Sequence, residues 1–357
     1  MFLKCLGFSC SKNTSQRNYP TIIEELCHKF SLSHLTKSTN NFDPKRVVGH
    51  GPCSEVYEAS LQRGDGSPYT VAIKRFISLK DSDIFKNEIE LLCQLRHPNI
   101  VSLVGFCNHK KEKIIVYEYL SNESLYQHIQ SGKLSWKKRL EICIGAARGL
   151  HYLHAGAKRT IIHRNINPSN ILFDGNMEPK LAAFGLSVQG QRFMSKPKPI
   201  KVNSPAGTIG YIAAEQIENL TITDKTDVYS FGMVLLEVVS GKKYMNLIQE
   251  EEVFERPFEE KVDPKIKGKI TPESWQVFID IMQGCLKYEV DERPTMGEVE
   301  VELEHALSLQ EQADITNIHG HYVLLSKTII NLKPELEDED IGITEDSDSE
   351  DMFHRQL

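Results

Sequence analysis

The sequence predicts an α+β protein of two lobes, the first rich in sheet and the second mainly helical. Three observations predict it. Strand-like patterning fills Val47 to Ile77, helical spacing of apolar residues dominates after Leu120, and polar motif loops lie between the two regimes. A chain of 357 residues is long enough for two such lobes.

Each element follows in order. VVGHG leads into SEVYEAS, and RGDGSP turns the chain into YTVAIKRF, which reads as three strands. From about Ser82 to Leu95, the residues Ile84, Phe85, Ile89, Leu91 and Leu92 form the apolar face of a helix, ended by His97-Pro98. IVSLVGF and KIIVYEYL supply two further strands. Trp136 to His154 then carries Leu140, Ile144, Ala147, Leu150 and Leu153 at helical spacing. Asp224 to Ser240 is a nearly all-apolar helix with Gly241 at its C-cap position. Helices over Pro272 to Lys287 and Met296 to Leu309 complete the set. The implied domains are an N-terminal extension (1–30), a first lobe with its flanking segment (31–120), a second lobe (121–310) and a C-terminal extension (311–357).

Forty per cent hydrophobic and 25% charged residues are ordinary for a globular protein. No apolar run approaches the roughly 18 residues of a membrane span; Phe231 to Val239 is short and contains Glu237. MFLKCLGFSC is broken by Lys4 and Gly7 and is no signal peptide, and Phe2 excludes N-myristoylation. Cys5 and Cys10 are either acylation sites or free thiols on a frayed end. Eight scattered cysteines without a CxxC pair point to a reducing compartment and no structural zinc. The formal charge of −7 is concentrated between Glu335 and Asp351, where ELEDEDIGITEDSDSED holds ten acids and no Lys or Arg. Such a block repels itself and is expected to be disordered. Thr344, Ser347 and Ser349 there are candidate acceptors for acid-directed kinases, or the block is a solubilising tail. Nothing points to nucleic-acid binding.

Gly49 and Gly51, in GHGPCSEV between two strands, allow backbone N–H groups to approach phosphates. VAIK follows about 20 residues later, and Glu88 on the next helix can hold the Lys74 ammonium in place. Ser54 replaces a third glycine and Pro52 stiffens the loop tip, so the cradle is expected to be imperfect.

VAIKR, RHPNIVSLVGFC, HRNINPSN, AFGLS, GTIGYIAAE, DVYSFGMVLLEVVSGK and DERPTM occur in that order. Together they resemble consecutive motifs of a eukaryotic protein kinase over roughly Phe30 to Gln310. FSLSHLTKSTNNFD, Tyr117, and KVDPKIKGKITPES with LEHALSLQEQ resemble more narrowly the plant receptor-like kinases of the Pelle group, near its Pto-like and FERONIA-like branches. Since no ectodomain or membrane span accompanies these motifs, the chain is similar to the receptor-like cytoplasmic members.

The resemblance implies a bilobal kinase fold that takes ATP, with Val56, Ala72 and the gatekeeper Tyr117 lining the nucleotide pocket. It also implies a run HRD-x-K-x-x-N, whose Asp accepts a proton from the substrate hydroxyl. Here the run is His163-Arg164-Asn165-Ile166-Asn167-Pro168-Ser169-Asn170. A carboxamide cannot take a proton near neutral pH, and losing a positioned general base removes about 10²–10⁴ in rate. Asn167 replaces the Lys that would neutralise a phosphate. Ala183-Phe184-Gly185 replaces DFG, and a methyl group cannot coordinate a hard cation. Asn170 alone remains on the metal side, so magnesium is expected to bind weakly or not at all.

Three losses at one transition state read as a pseudokinase that serves as scaffold, regulator or decoy. The alternative is a weakly active Ser/Thr kinase with an atypical metal site. Architecture, in contrast, is retained. His163 and Phe184, with Leu92 and Leu103, match the spine joining the lobes; Asp227 matches the acid bracing the catalytic loop; Glu215 and Arg293 match a buried ion pair. With Lys74 and Glu88 both present, nucleotide binding and simple pinning of the helix remain open. Ser187, Ser195, Ser204 and Thr208 are candidate regulatory phosphoacceptors between Ala183 and Glu215, with Arg164 retained to receive a phosphate. The stretch from Gly241 to Asp263 looks short for a peptide-docking helix. The implied partner is an active receptor-like kinase or an immune or signalling receptor, in the cytoplasm or at the inner face of the plasma membrane.

Overall fold

A computed structural model describes residues 27–51, 53–78, 82–192, 198–243, 257–316 and 321–324. Cys5, Cys10, Pro52, Ser195 and the acidic tail lie outside them. The first lobe is a six-stranded sheet in the order β1-β5-β6-β4-β3-β2. The strands are β1 (His28–Lys29), β2 (Val47–Gly51), β3 (Ser54–Gln62), β4 (Pro68–Phe76), β5 (Leu103–Asn108) and β6 (Lys113–Glu118). β2, β3 and β4 form the expected antiparallel meander. β5 starts later than the apolar run IVSLVGF suggests. Ile100 bridges to Leu181 and the Val101 N–H donates to the Leu181 carbonyl (3.0 Å), so those residues tie the lobes together instead.

Two small elements have no periodic signal to announce them. Helix α1 (Leu32–Ser38) buries only Leu35, and the Ser31 hydroxyl accepts from the His34 N–H at 3.2 Å as its N-cap. β1 pairs in parallel with β5, His28 opposite Gly105. A Cβ on Gly105 would lie 2.3 Å from the His28 carbonyl oxygen, so glycine there is what admits the extra strand. Just before β1, Cys27 forms a disulfide with Cys93, 66 residues away, with a Cα–Cα distance of 6.2 Å. This corrects the expectation that all the thiols are reduced. Sequence spacing carries no signal for a pair brought together by a parallel strand.

Helix α2 (Ser82–Leu92) lies against the sheet and buries Phe85, Glu88, Ile89, Leu91 and Leu92. The second lobe contains α3 (Leu125–Ser131), α4 (Trp136–His151), α5 (Ala214–Glu218), α6 (Asp224–Ser240), α7 (Pro272–Cys285) and α8 (Met296–Thr316). α4 gives way to a π-turn over Tyr152–Gly156 rather than running on to His154, and α7 ends two residues before Lys287. α8 outruns Leu309 because the Gln310 side chain is buried, accepting from the Thr271 N–H and donating to the Lys269 carbonyl, both at 3.0 Å. α6 ends as expected at Gly241, whose φ of 71° suits a glycine. Buried aromatics fill the space between helices, with Trp136 edge-on to Phe278 at 4.9 Å. Arg139 is fully buried; it donates to the Val238 and Leu134 carbonyls and pairs with Asp263. Among the described residues no helix is long and apolar enough to cross a membrane.

Short strands carry the loops between the lobes. β8 (Ile171–Phe173) pairs with β9 (Pro179–Leu181), and β10 (Val188–Arg192) pairs with β7 (Arg159–Ile162). The Arg293 guanidinium grips Glu215 through two parallel bonds of 2.8 and 3.0 Å, at 2% exposure. Arg293→Ala would leave that carboxylate buried and unpaired, so unfolding free energy measured in denaturant should fall by about 3–5 kcal/mol.

Candidate functional site

Between the lobes lies a cavity of about 430 Å³. Val56 and Ala72 roof it from β3 and β4, Leu172 floors it from β8, and the Gly49–Gly51 end of β2 closes one side. Adjacent strands put Tyr117 beside Ala72 and Leu103. Among the described residues its buried hydroxyl has no partner at hydrogen-bond geometry. Burial, reinforced by the nearby Glu88 charge, pushes the phenol well above its ordinary pKa.

Lys74 and Glu88 meet as the sequence implies. The ammonium donates to Glu88 Oε2 at 2.9 Å, while Glu88 Oε1 accepts from the Phe184 N–H at 3.2 Å. One buried carboxylate therefore fixes both the lysine and the start of the Phe-Gly segment. Asn87, its neighbour on α2, donates to the carbonyls of Gly185 (3.0 Å) and Ser187 (2.8 Å). Sequence reasoning missed Asn87, since nothing about one amide on a helix marks it as a clasp. A Cβ at Gly185 would come within 2.4 Å of Ile84, so helix and segment are closely apposed.

The catalytic loop hangs on Asp227. Its carboxylate accepts from the backbone N–H of His163 (2.7 Å) and of Arg164 (2.8 Å), and from His154 Nε2 (2.9 Å). His163 is fully buried and edge-on to Phe184 at 4.8 Å, as the spine requires. Its Nδ1 accepts from the Asn165 N–H at 3.2 Å, which leaves Nε2–H to donate to the Ala182 carbonyl at 2.9 Å. Burial lowers its pKa, the Asp227 charge partly offsetting this.

Asn165, Asn167 and Thr208 form a closed neutral set. The Thr208 hydroxyl donates to Asn165 Oδ1 (2.9 Å), and Asn167 Nδ2 donates to Thr208 Oγ1 (3.0 Å) and to Asn165 Oδ1 (3.2 Å). Asn167 Oδ1 accepts from the Ser169 N–H (2.9 Å), and Asn170 Nδ2 donates to the Asn165 carbonyl (2.8 Å). Of the candidate phosphoacceptors, Thr208 is thus tied into this loop, although its residue surface is exposed. Ser187 is buried, donating to the His163 carbonyl at 3.1 Å, which makes it a structural hydroxyl. Ser204 is exposed, and its carbonyl accepts from Arg164 at 3.0 Å. The Arg164 guanidinium also donates to Gln216 (2.9 Å), a partner unread in the sequence.

Magnesium, which the fold implies, finds few ligands among these residues: Ala183 offers a methyl group, Asn165 Oδ1 and Asn167 Oδ1 already accept hydrogen bonds, and the Asn170 amide is the side-chain oxygen left to it.

Two outcomes follow from this geometry. Thr208→Val should speed amide hydrogen exchange over residues 207–211 while lowering stability by no more than about 1 kcal/mol, because the broken bonds are partly exposed. Below about pH 6.5 the unfolded imidazole takes a proton that buried His163 resists, so stability should decline with acid. His163→Phe should flatten that slope in a plot of melting temperature against pH.

Residues 42–303 match the family described as protein tyrosine and serine/threonine kinase. Receptor-like protein kinase FERONIA of Arabidopsis thaliana is 39% identical over 322 residues, covering 86% of this chain and 35% of its own length. Receptor-like protein kinase ANXUR2 of the same plant is 40% identical over 319 residues, covering 85% and 36% respectively. The chain spans about a third of the length of these relatives. It belongs to the protein tyrosine and serine/threonine kinase family, and its kinase domain is homologous to those of Arabidopsis receptor-like kinases.

Proposed function

We propose that this chain is a pseudokinase: a kinase fold retained as a signalling scaffold or regulator that does not transfer phosphate at an ordinary rate. The observation that carries the reading is the neutral Asn165–Asn167–Thr208 set standing where a base and a cation are needed. An amide oxygen already accepting two hydrogen bonds has no basicity to offer a substrate hydroxyl. With Ala183 at the metal position, the charge developing on a transferring phosphoryl group meets no anchored dication.

The ordered Lys74–Glu88 pair and the open apolar slot support nucleotide binding, with Gly49, Gly51, Val56, Ala72, Lys74 and Tyr117 about the ligand. The same pair is what favours the rival reading of a slow Ser/Thr kinase. The exposed segment around Ser204, reached by Arg164, supports control through phosphorylation by another kinase. An active receptor-like kinase fits as the partner, met in the cytoplasm or at the inner face of the plasma membrane if Cys5 or Cys10 is acylated.

Purified protein incubated with labelled ATP and magnesium or manganese should incorporate no phosphate above background. Incorporation at an ordinary kinase rate that Lys74→Ala abolishes would overturn the reading. The triple change N165D, N167K and A183D should bring back measurable transfer, since the frame that positions these groups is intact.

A further inference from the structure

Among the cleft's lining residues the charged groups are Lys74, Glu88 and Glu118. Glu118 lies at the hinge, where one carboxylate oxygen accepts from the Ser102 N–H at 2.7 Å and faces Lys180 at 3.2 Å. Glu88 is spent on Lys74 and on the Phe184 N–H. The surface that phosphates would meet is Asn165, Asn167, Ser169, Asn170, Ala183 and Thr208, with no carboxylate in it.

We propose that the cleft binds a nucleoside triphosphate in its magnesium-free form, and that magnesium opposes binding. The inference rests on the nucleotide-binding part of the reading above and is independent of its catalytic part. In a kinase with both acids in place, the carboxylates repel the phosphates, and the ion held by the DFG Asp and the catalytic-loop Asn offsets that repulsion. Removing both acids removes the repulsion together with the bridge. Phosphates then meet the Lys74 ammonium, itself paired with Glu88, and the Gly49–Gly51 end of β2, with neither of the two lost acids opposing them. A magnesium-bound nucleotide fares worse. Its ion would exchange water for at most the amide oxygen of Asn170, because the amide oxygens of Asn165 and Asn167 already accept hydrogen bonds. It would also bring a dication toward Lys74 with no acid between them. Magnesium further withdraws charge from the phosphates that the lysine attracts.

Ala183 supplies a sharp test. Its backbone is left-handed, with φ 66° and ψ 56°, a conformation that aspartate adopts more readily than alanine. A183D should therefore fold, and it returns one metal ligand beside Asn170.

The experiment is calorimetric titration of the full chain with ATP, once with a chelator and once with excess magnesium, repeated on A183D. The native chain should bind about tenfold more weakly with magnesium, and A183D should reverse that order. Thermal shifts in the same buffers provide a second readout and show whether A183D is folded. Equal affinity in both buffers, tighter binding with magnesium, or no binding in either would overturn the proposal for the native chain. An A183D that folds yet still binds more tightly with the chelator would overturn the charge argument behind it. None of these outcomes measures phosphate transfer, so the proposal can fail while the pseudokinase reading stands, and the reverse.

Discussion

The Asp227 carboxylate holds the second lobe's loop in place. It is fully buried on α6 and receives hydrogen bonds from the His163 and Arg164 backbones and from His154. Two consecutive N–H groups that share one anion fix the loop's path, and Arg164 is held there at φ 66°. His163 is thereby aimed at Phe184 and at the Ala182 carbonyl. Phe184 in turn offers its N–H to Glu88 on α2. A continuous line of contacts thus runs from the helical lobe, through the loop, into the helix that holds Lys74. All of it is built from backbone groups and buried side chains, and the side chains of the exchanged residues Asn165, Asn167 and Ala183 hold none of its joints.

That separation explains how a transfer site can lose its charges without collapsing. The loop's shape comes from Asp227 beneath it. Residues on its upper surface are therefore free to change, provided that they satisfy one another. Asn165, Asn167 and Thr208 do so with neutral hydrogen bonds, which join the loop to the segment that carries Thr208. A buried charge left unpaired would have demanded compensation elsewhere, and a self-satisfied amide does not.

Much of this was legible in the sequence, for identifiable reasons. α2, α4 and α6 bury wide apolar faces, so their spacing announces them; the Gly241 cap and the Lys74–Glu88 pair were likewise readable from residue type and position. The Asn and Ala replacements were legible because chemistry forbids them particular roles. What stayed hidden depends on chain segments meeting from afar. Asn87 clasps carbonyls about 100 residues away, and Gln310 anchors the start of α7 from the C-terminal half of α8. β1, two residues long, is defined by the close approach that Gly105 permits. Short elements with one buried residue, such as α1, carry no periodicity to read.

The edge strand β1 also sets where pulling forces enter the fold. The chain reaches it through Cys27, which is covalently joined to Cys93, the residue immediately after α2 ends. Tension on the upstream polypeptide would therefore bypass the sheet and act on the far end of the helix that carries Glu88. The same bond makes that helix end the mechanical anchor for whatever precedes the domain, so a tether there would load the lever that positions Lys74.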